Sequence, residues 1–232
     1  QPAGAERPTV STVFERFDDV RFDALEGRVA LSDVRGTASM IDREDPDPRR
    51  RTSFGFEEFA ANLRYKDEQV GAIELDGRFS LDPDAPDDAP IHRTLADADL
   101  SVSMRSAAFE SALLSDLLGM TLSPRTMDKW RELEVKGGFD LHAELTGEPV
   151  RASGLIGPRS LSFVRNGQRV ELPTVVGHVG FRTVPGEQPG NAPGLEGRFE
   201  ELTCEHEYWR AVANGDWSFV PGDAFRIDTA LS

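Results

Sequence analysis

Apolar and polar residues alternate along most of this chain. Phe54-Phe56, Phe59-Ala61-Leu63-Tyr65, Ile73-Leu75, Phe79-Leu81, Leu100-Val102-Met104 and Phe139-Leu141-Ala143-Leu145 each place apolar side chains two residues apart. A period of two is the mark of strands with one apolar and one polar face. Thr9 to Phe17, Val29 to Met40, Val175 to Phe181, Tyr208 to Ala213, Trp217-Phe219 and Phe225-Ile227 read the same way, with Gly36 as a turn or bulge. Leu161-Phe163 and Val170-Leu172 flank Asn166-Gly167, a dipeptide suited to a type I′ hairpin. The pattern predicts a dozen or more strands in antiparallel meanders.

The period changes once. Phe109, Ala112, Leu113 and Leu117 fall at helical spacing, with Ser106 as the expected N-cap and Gly119 as the expected stop. A second helix is expected from Ser123 as cap and Pro124 at its first position, with Met127, Trp130 and Leu133 on its apolar side. Such a hairpin either covers one end of a sheet or packs on a core like any other helix. Segments 42–52, 82–91 and 185–194, rich in Pro, Gly and charge, are expected as solvated loops.

A short motif recurs: Leu25-Glu26-Gly27-Arg28-Val29, Leu75-Asp76-Gly77-Arg78-Phe79, Val135-Lys136-Gly137-Gly138-Phe139 and Leu195-Glu196-Gly197-Arg198-Phe199. Successive copies are offset by 50, 60 and 60 residues, as their first positions at 25, 75, 135 and 195 give. A glycine inside a strand marks a bulge, a bend or a close backbone approach. Gly27, Gly77, Gly137 and Gly197 are therefore expected to bend successive strands of a stacked array. The repeat divides one β-rich segment, 1–232, into units of about 9–66, 69–133, 134–184 and 194–232.

Composition narrows the function. With 41 Asp+Glu against 26 Lys+Arg, the net charge of -15 disfavours nucleic acid and an anionic membrane surface. A single cysteine, Cys204, cannot form an internal disulfide. The chain starts at Gln1 and ends in a strand-like pattern, so it reads as part of a longer polypeptide whose signal or anchor would lie outside it.

Catalytic and metal motifs are wanting. There is no phosphate loop, no Gly-x-Ser-x-Gly and no His-Glu-x-x-His, and His92, His142, His178 and His206 are far apart. In Glu205-His206-Glu207 a strand would put the acids on one face and His206 on the other. Asp82, Asp84, Asp87 and Asp88 lack EF-hand spacing and read as a solvated loop. Neither a metal nor a cofactor is expected, and the chain is not expected to be an enzyme. A hydrolase built on two acids that meet only in space is the outlying reading.

The Gly-Arg-apolar strands, the segment from Leu122-Ser123-Pro124 through Trp130 to Val135-Lys136-Gly137-Gly138-Phe139-Asp140-Leu141, and Gly215-Asp216-Trp217-Ser218-Phe219 resemble bacterial AsmA-like proteins of the TamB and YhdP types. The resemblance implies a mainly β fold, an extended repeating antiparallel sheet curved into a groove, here with a short helical hairpin near 106–133. It also implies a periplasmic location, an inner-membrane anchor elsewhere in the parent chain, and phospholipid moving along the apolar interior towards the outer membrane. The helical hairpin and the acidic loops depart from that pattern. Burying acyl carbons stabilises by about 0.8 kcal/mol per CH₂, so roughly 16 carbons gain on the order of 10 kcal/mol from a continuous apolar floor. The expected floor residues are Val29, Leu31, Ile73, Leu75, Leu100, Val102, Met104, Phe139, Leu141 and Leu145. Phospholipid or another apolar ligand is the expected partner. The same residues could instead fill a closed β-sandwich in a secreted binding or adhesion module, with carbohydrate as a possible ligand.

Overall fold

The structure is a computed structural model that describes residues 10–17, 20–24, 27–42, 52–82, 95–121, 124–148, 150–184, 194–206, 208–219 and 226–231. Most of segments 42–52, 82–91 and 185–194, with His92 and Leu25, lie outside the described residues.

Fourteen strands form among these residues. They are β1 (Val10–Phe17), β2 (Val20–Ala24), β3 (Gly27–Asp42), β4 (Thr52–Tyr65), β5 (Glu68–Leu81), β6 (Leu95–Ala108), β7 (Gly138–Gly147), β8 (Arg151–Pro158), β9 (Leu161–Arg165), β10 (Gln168–Leu172), β11 (Thr174–Val184), β12 (Gly194–His206), β13 (Trp209–Phe219) and β14 (Arg226–Leu231). Two helices, α1 (Ala112–Thr121) and α2 (Pro124–Glu132), sit between β6 and β7.

Twelve strands make one antiparallel sheet in the order β1-β3-β4-β5-β6-β7-β8-β11-β12-β13-β14, with β2 sharing the β1 side of β3. The sheet is not closed into a barrel. Apart from β1–β3 and β8–β11, strands paired in the sheet follow one another in sequence, with the two helices between β6 and β7, as expected from turn-separated alternating runs. The one excursion within the sheet's second half is β9–β10, a separate two-stranded ribbon turned by Asn166 and Gly167, whose φ values of 51° and 74° suit a type I′ turn.

The sheet bends at residues that break its phase. Asp33, Glu58, Ser106 and Glu201 have φ of 52°, 48°, 60° and 50°, and each sits where the pairing register shifts by a residue. A bulge of this kind inserts one residue and bends the strand. It also restores the alternation, so that Phe56 and Phe59, Met104 and Ala107, and Phe199 and Leu202 stay on one face across each bulge. Ser106 is therefore a bulge in β6, not the helix cap expected from the sequence. Ser111 takes that role: its Oγ accepts the Leu114 N–H at 3.4 Å. Gly119 lies inside α1 instead of ending it, because the helix runs two residues further.

Two of the repeated glycines lie in mid-strand. Gly77 faces Leu100 with φ of 113°, and a Cβ there would stand 2.1 Å from the Asp99 carbonyl oxygen. Gly197 faces Trp217, and its Cβ would stand 1.8 Å from the Gly180 carbonyl oxygen and 2.5 Å from the Trp217 indole nitrogen. Gly27 and Gly137 do not follow the expectation of a bend within a strand. Gly27 is the first residue of β3, paired with Ala24, and Gly137 precedes β7. Gly137 still permits a close approach, since its Cβ would meet the Ser160 carbonyl oxygen at 2.1 Å.

One sheet without a second sheet against it would leave its apolar face open if it were flat. Yet Val34 and Tyr65 are fully buried, and Phe59, Ala61, Leu100 and Phe199 are buried as well. The burial of Val34, Phe59 and Ala61 comes from neighbours on β2 to β5, including Val20, Phe56 and Leu75. The apolar face is thus the hollow side of a curved sheet, and around Val34, Phe59 and Ala61 its own strands supply the cover.

A candidate apolar trough

Residues directly opposite in an antiparallel pair point to the same face. On that rule, one row runs Ala61, Ile73, Met104, Leu141, Ile156, Val179, Phe199, Gly215, Thr229 from β4 to β14. The row on one side of it contains Phe59, Leu75, Val102, Ala143, Gly154 and Phe181, then Gly197, Trp217 and Ile227. A third joins Phe56, Gly77, Leu100 and Leu145, and Leu195 with Phe219. Strands lie about 4.8 Å apart, so the nine successive positions from β4 to β14 span about 38 Å.

All ten expected floor residues fall on this hollow face. Val29, Leu100 and Phe139 are buried and the other seven are half-buried. The expected floor ends at Leu145, whereas the same face continues through Ile156, Val179, Phe199 and Trp217. The second half was missed because its alternation is interrupted by glycines facing inward. Those glycines are where the aromatic rings lie down. Phe181 comes within 2.9 Å of where a Gly154 Cβ would be, and Phe199 within 2.9 Å of that at Gly215. Trp217 lies over Gly197 and donates its indole N–H to the Gly180 carbonyl at 3.1 Å. Rings laid on glycine keep the floor shallow where upright rings would fill the trough.

The edge of the trough beside Met40 and Phe54 carries an aromatic group. Phe54 and Phe79 stack with centroids 5.2 Å apart, and Phe56 meets Phe59 edge-on at 5.5 Å. The opposite edge, across β3 to β6, is covered by α1. Ala112 and Leu113 of α1 pack against Val29, Leu63, Tyr65 and Val70, the cluster that Ile73 and Met104 also meet. Phe109, expected within the helix, instead precedes it and tilts against Phe139 with centroids 4.5 Å apart. Met127 of α2 is buried and Trp130 half-buried as expected, but Leu133 is 40% exposed just after the helix ends. A latch ties α1 down: the Tyr65 hydroxyl donates to Asp116 Oδ2 at 2.8 Å, and Lys66 Nζ lies 2.7 Å from the same oxygen. The Lys66 hydrogen bond, joined by that of Tyr65 and the ammonium charge and opposed by burial, holds the Asp116 carboxyl below its ordinary value of 3.8.

The outer face is polar and cross-linked by ion pairs. Arg105 meets Glu74 at 3.2 Å, Arg198 meets Glu200 at 3.1 Å and Arg210 meets Glu205 at 3.4 Å, all exposed. Each contributes little in water. Asp140 receives the Ser106 N–H at 2.8 Å and the Arg159 guanidinium. Burial pushes its carboxyl up, but Arg159, the Ser106 amide and the Arg105 charge outweigh it and the net direction is down.

The fold also assembles one group that spacing in the chain does not reveal. Ser103 and His142 are opposite on β6 and β7, with Oγ 3.0 Å from Nδ1, and His142 Nε2 lies 3.2 Å from Glu144 Oε1. This is the order of a nucleophile, a base and an acid. It stands on an open outer surface, where the backbone of both strands is committed to the sheet ladder. Among the described residues no three His, Cys, Asp or Glu side chains gather into a metal site. Cys204 faces the trough, opposite Val175 and Ala211, and burial pushes its thiol up from 9.0. Among the described residues no helix is long and apolar enough to cross a membrane. In comparisons with known proteins, no family model, no curated protein and no solved structure matches this chain.

Proposed function

We propose that this chain is a length of an AsmA-like cell-envelope protein that holds phospholipid acyl chains on its apolar trough. It works as a carrier in the periplasm between the inner and outer membranes, with its parent chain anchored in the inner membrane. Its work is done by burial alone, without a chemical step or a cofactor. The observation that carries this reading is the largely apolar face that runs across nine strand positions, from β4 to β14, of the one large open sheet. A continuous floor gives an acyl chain equivalent places to sit as it moves, which keeps the barrier between them low. The Gly-Arg strand motifs support the assignment to the AsmA-like group. The sandwich alternative needs a second layer pressed on these aliphatics, and the described residues form none.

The test is extraction of the purified protein with organic solvent, followed by mass spectrometry. Phospholipid is expected at a fixed ratio to protein, and the doubly substituted Leu100→Asp, Val102→Asp chain is expected to lose it while keeping its β circular dichroism. Wild-type protein free of phospholipid, or a double variant that keeps it, would overturn the reading.

A further inference from the structure

α1 carries its four leucines on one side and Ser115, Gly119 and Asp116 on the other. Leu113, Leu114, Leu117 and Leu118 are all half-buried, and Leu113 with Ala112 packs on the sheet. The single acid of α1, Asp116, points its carboxylate at an ammonium and a phenol that the β4–β5 turn holds side by side. Lys66 Nζ also lies 5.3 Å from the centre of the Tyr65 ring, which fixes the two donors together. α1 therefore presents to the sheet an anionic oxygen beside an aliphatic stem. The donor set that receives Asp116 is the set that a lipid phosphate or a fatty-acid carboxylate needs.

We propose that the section of trough under α1 is a binding site for an anionic amphiphile. Lys66 and Tyr65 take its charged head, and Leu63, Val70, Ile73 and Met104 take its aliphatic tail. Asp116 and Leu113 occupy those places in the absence of ligand, so binding displaces α1 from the sheet. This inference rests on the trough reading and adds a headgroup site to it. It also gives α1 a role: it covers a buried apolar section of the floor until a ligand with the right charge competes for Lys66.

The experiment uses isothermal titration with palmitate, palmitoyl-lysophosphatidylglycerol and the neutral monopalmitoylglycerol, each below its micelle concentration. Hydrogen exchange of residues 112–121 is followed in parallel. The anionic ligands are expected to bind about tenfold more tightly than the neutral one and to release α1 amide protection. Lys66→Ala is expected to abolish the preference for charge. Asp116→Asn, which keeps the shape and removes the competing charge, is expected to strengthen both anionic ligands severalfold. Tight binding of palmitate alone assigns the head to a carboxylate, and of the phosphatidylglycerol alone to a phosphate; either supports the site. Binding with no charge preference and with α1 still protected would overturn the site while leaving the trough intact. No binding of any amphiphile would overturn the trough reading itself.

Discussion

Replacing Gly77 with alanine separates two sources of strain that the repeated glycines relieve. At Gly77 the backbone has φ of 113°, and the new Cβ would stand 2.1 Å from the Asp99 carbonyl oxygen on the neighbouring strand. A non-glycine residue in a sparsely populated backbone region costs roughly 1–3 kcal/mol. An overpacked contact costs roughly a further 1–3 kcal/mol, because the β6 ladder holds that carbonyl and it cannot swing aside. Together these predict a loss of roughly 2–6 kcal/mol and, for a chain of this size, a fall in Tm on the order of 10 °C. Two controls isolate the parts. Gly167 has φ of 74° with open space around its Cβ, so Gly167→Ala carries the backbone cost alone, about 1–2 kcal/mol. Gly154 has an ordinary φ, but its Cβ would meet the His142 carbonyl oxygen at 2.1 Å, so Gly154→Ala carries the contact cost alone. Urea unfolding followed by circular dichroism measures all three. The expected order has Gly77→Ala as the most destabilised. A Gly77→Ala protein as stable as wild type, or no less stable than Gly167→Ala, would refute the claim that strands approach closely at this glycine.

Three further outcomes follow from the same geometry. Phe59→Ala should cost about 3–5 kcal/mol in unfolding free energy, since Phe59 is 5% exposed and packs with Val34 and Ala61, whereas Val176→Ala, at 58% exposure, should change little. The Asp116 carboxyl is held below 3.8 in the folded chain. Its contribution is therefore present above that value and lost as pH falls through the lower folded value, so the stability gap between wild type and Asp116→Asn should be level near neutrality and narrow only in acid. Arg159→Ala should destabilise chiefly by leaving Asp140 with less than its full set of donors, and the Arg159→Ala, Asp140→Asn pair should be less than additive in thermal unfolding.

Much of this architecture was legible in the chain because a period of two reports directly on which face a residue occupies. The ten floor residues share a face for that reason, and Asn166-Gly167 turns a hairpin because few other dipeptides tolerate two successive positive φ angles. Pro124 opens α2 as its fixed φ requires. What escaped was phase. Asp33, Glu58, Ser106 and Glu201 each insert a residue by taking a positive φ, and nothing in their side chains announces it. Ser106 has the chemistry of a helix cap and is used as a bulge, so α1 starts later than the spacing of Phe109 and Ala112 suggests. The repeated motif was read as a bend four times, but a five-residue pattern does not encode its place along a strand, and Gly27 and Gly137 stand at strand beginnings. The pairing of Lys66 with Asp116 joins residues 50 apart, and that of Ser103 with His142 residues 39 apart, so only the sheet order brings them together.

The central claim is that one face of this sheet meets lipid and the other does not. Photoreactive benzoylphenylalanine placed in turn at Leu100, Ser101, Val102 and Ser103 of the chain in growing cells tests it residue by residue. The account predicts phospholipid adducts from positions 100 and 102, which face the hollow, and none from 101 and 103. Equal labelling at all four positions, or adducts only from the serines, would contradict it.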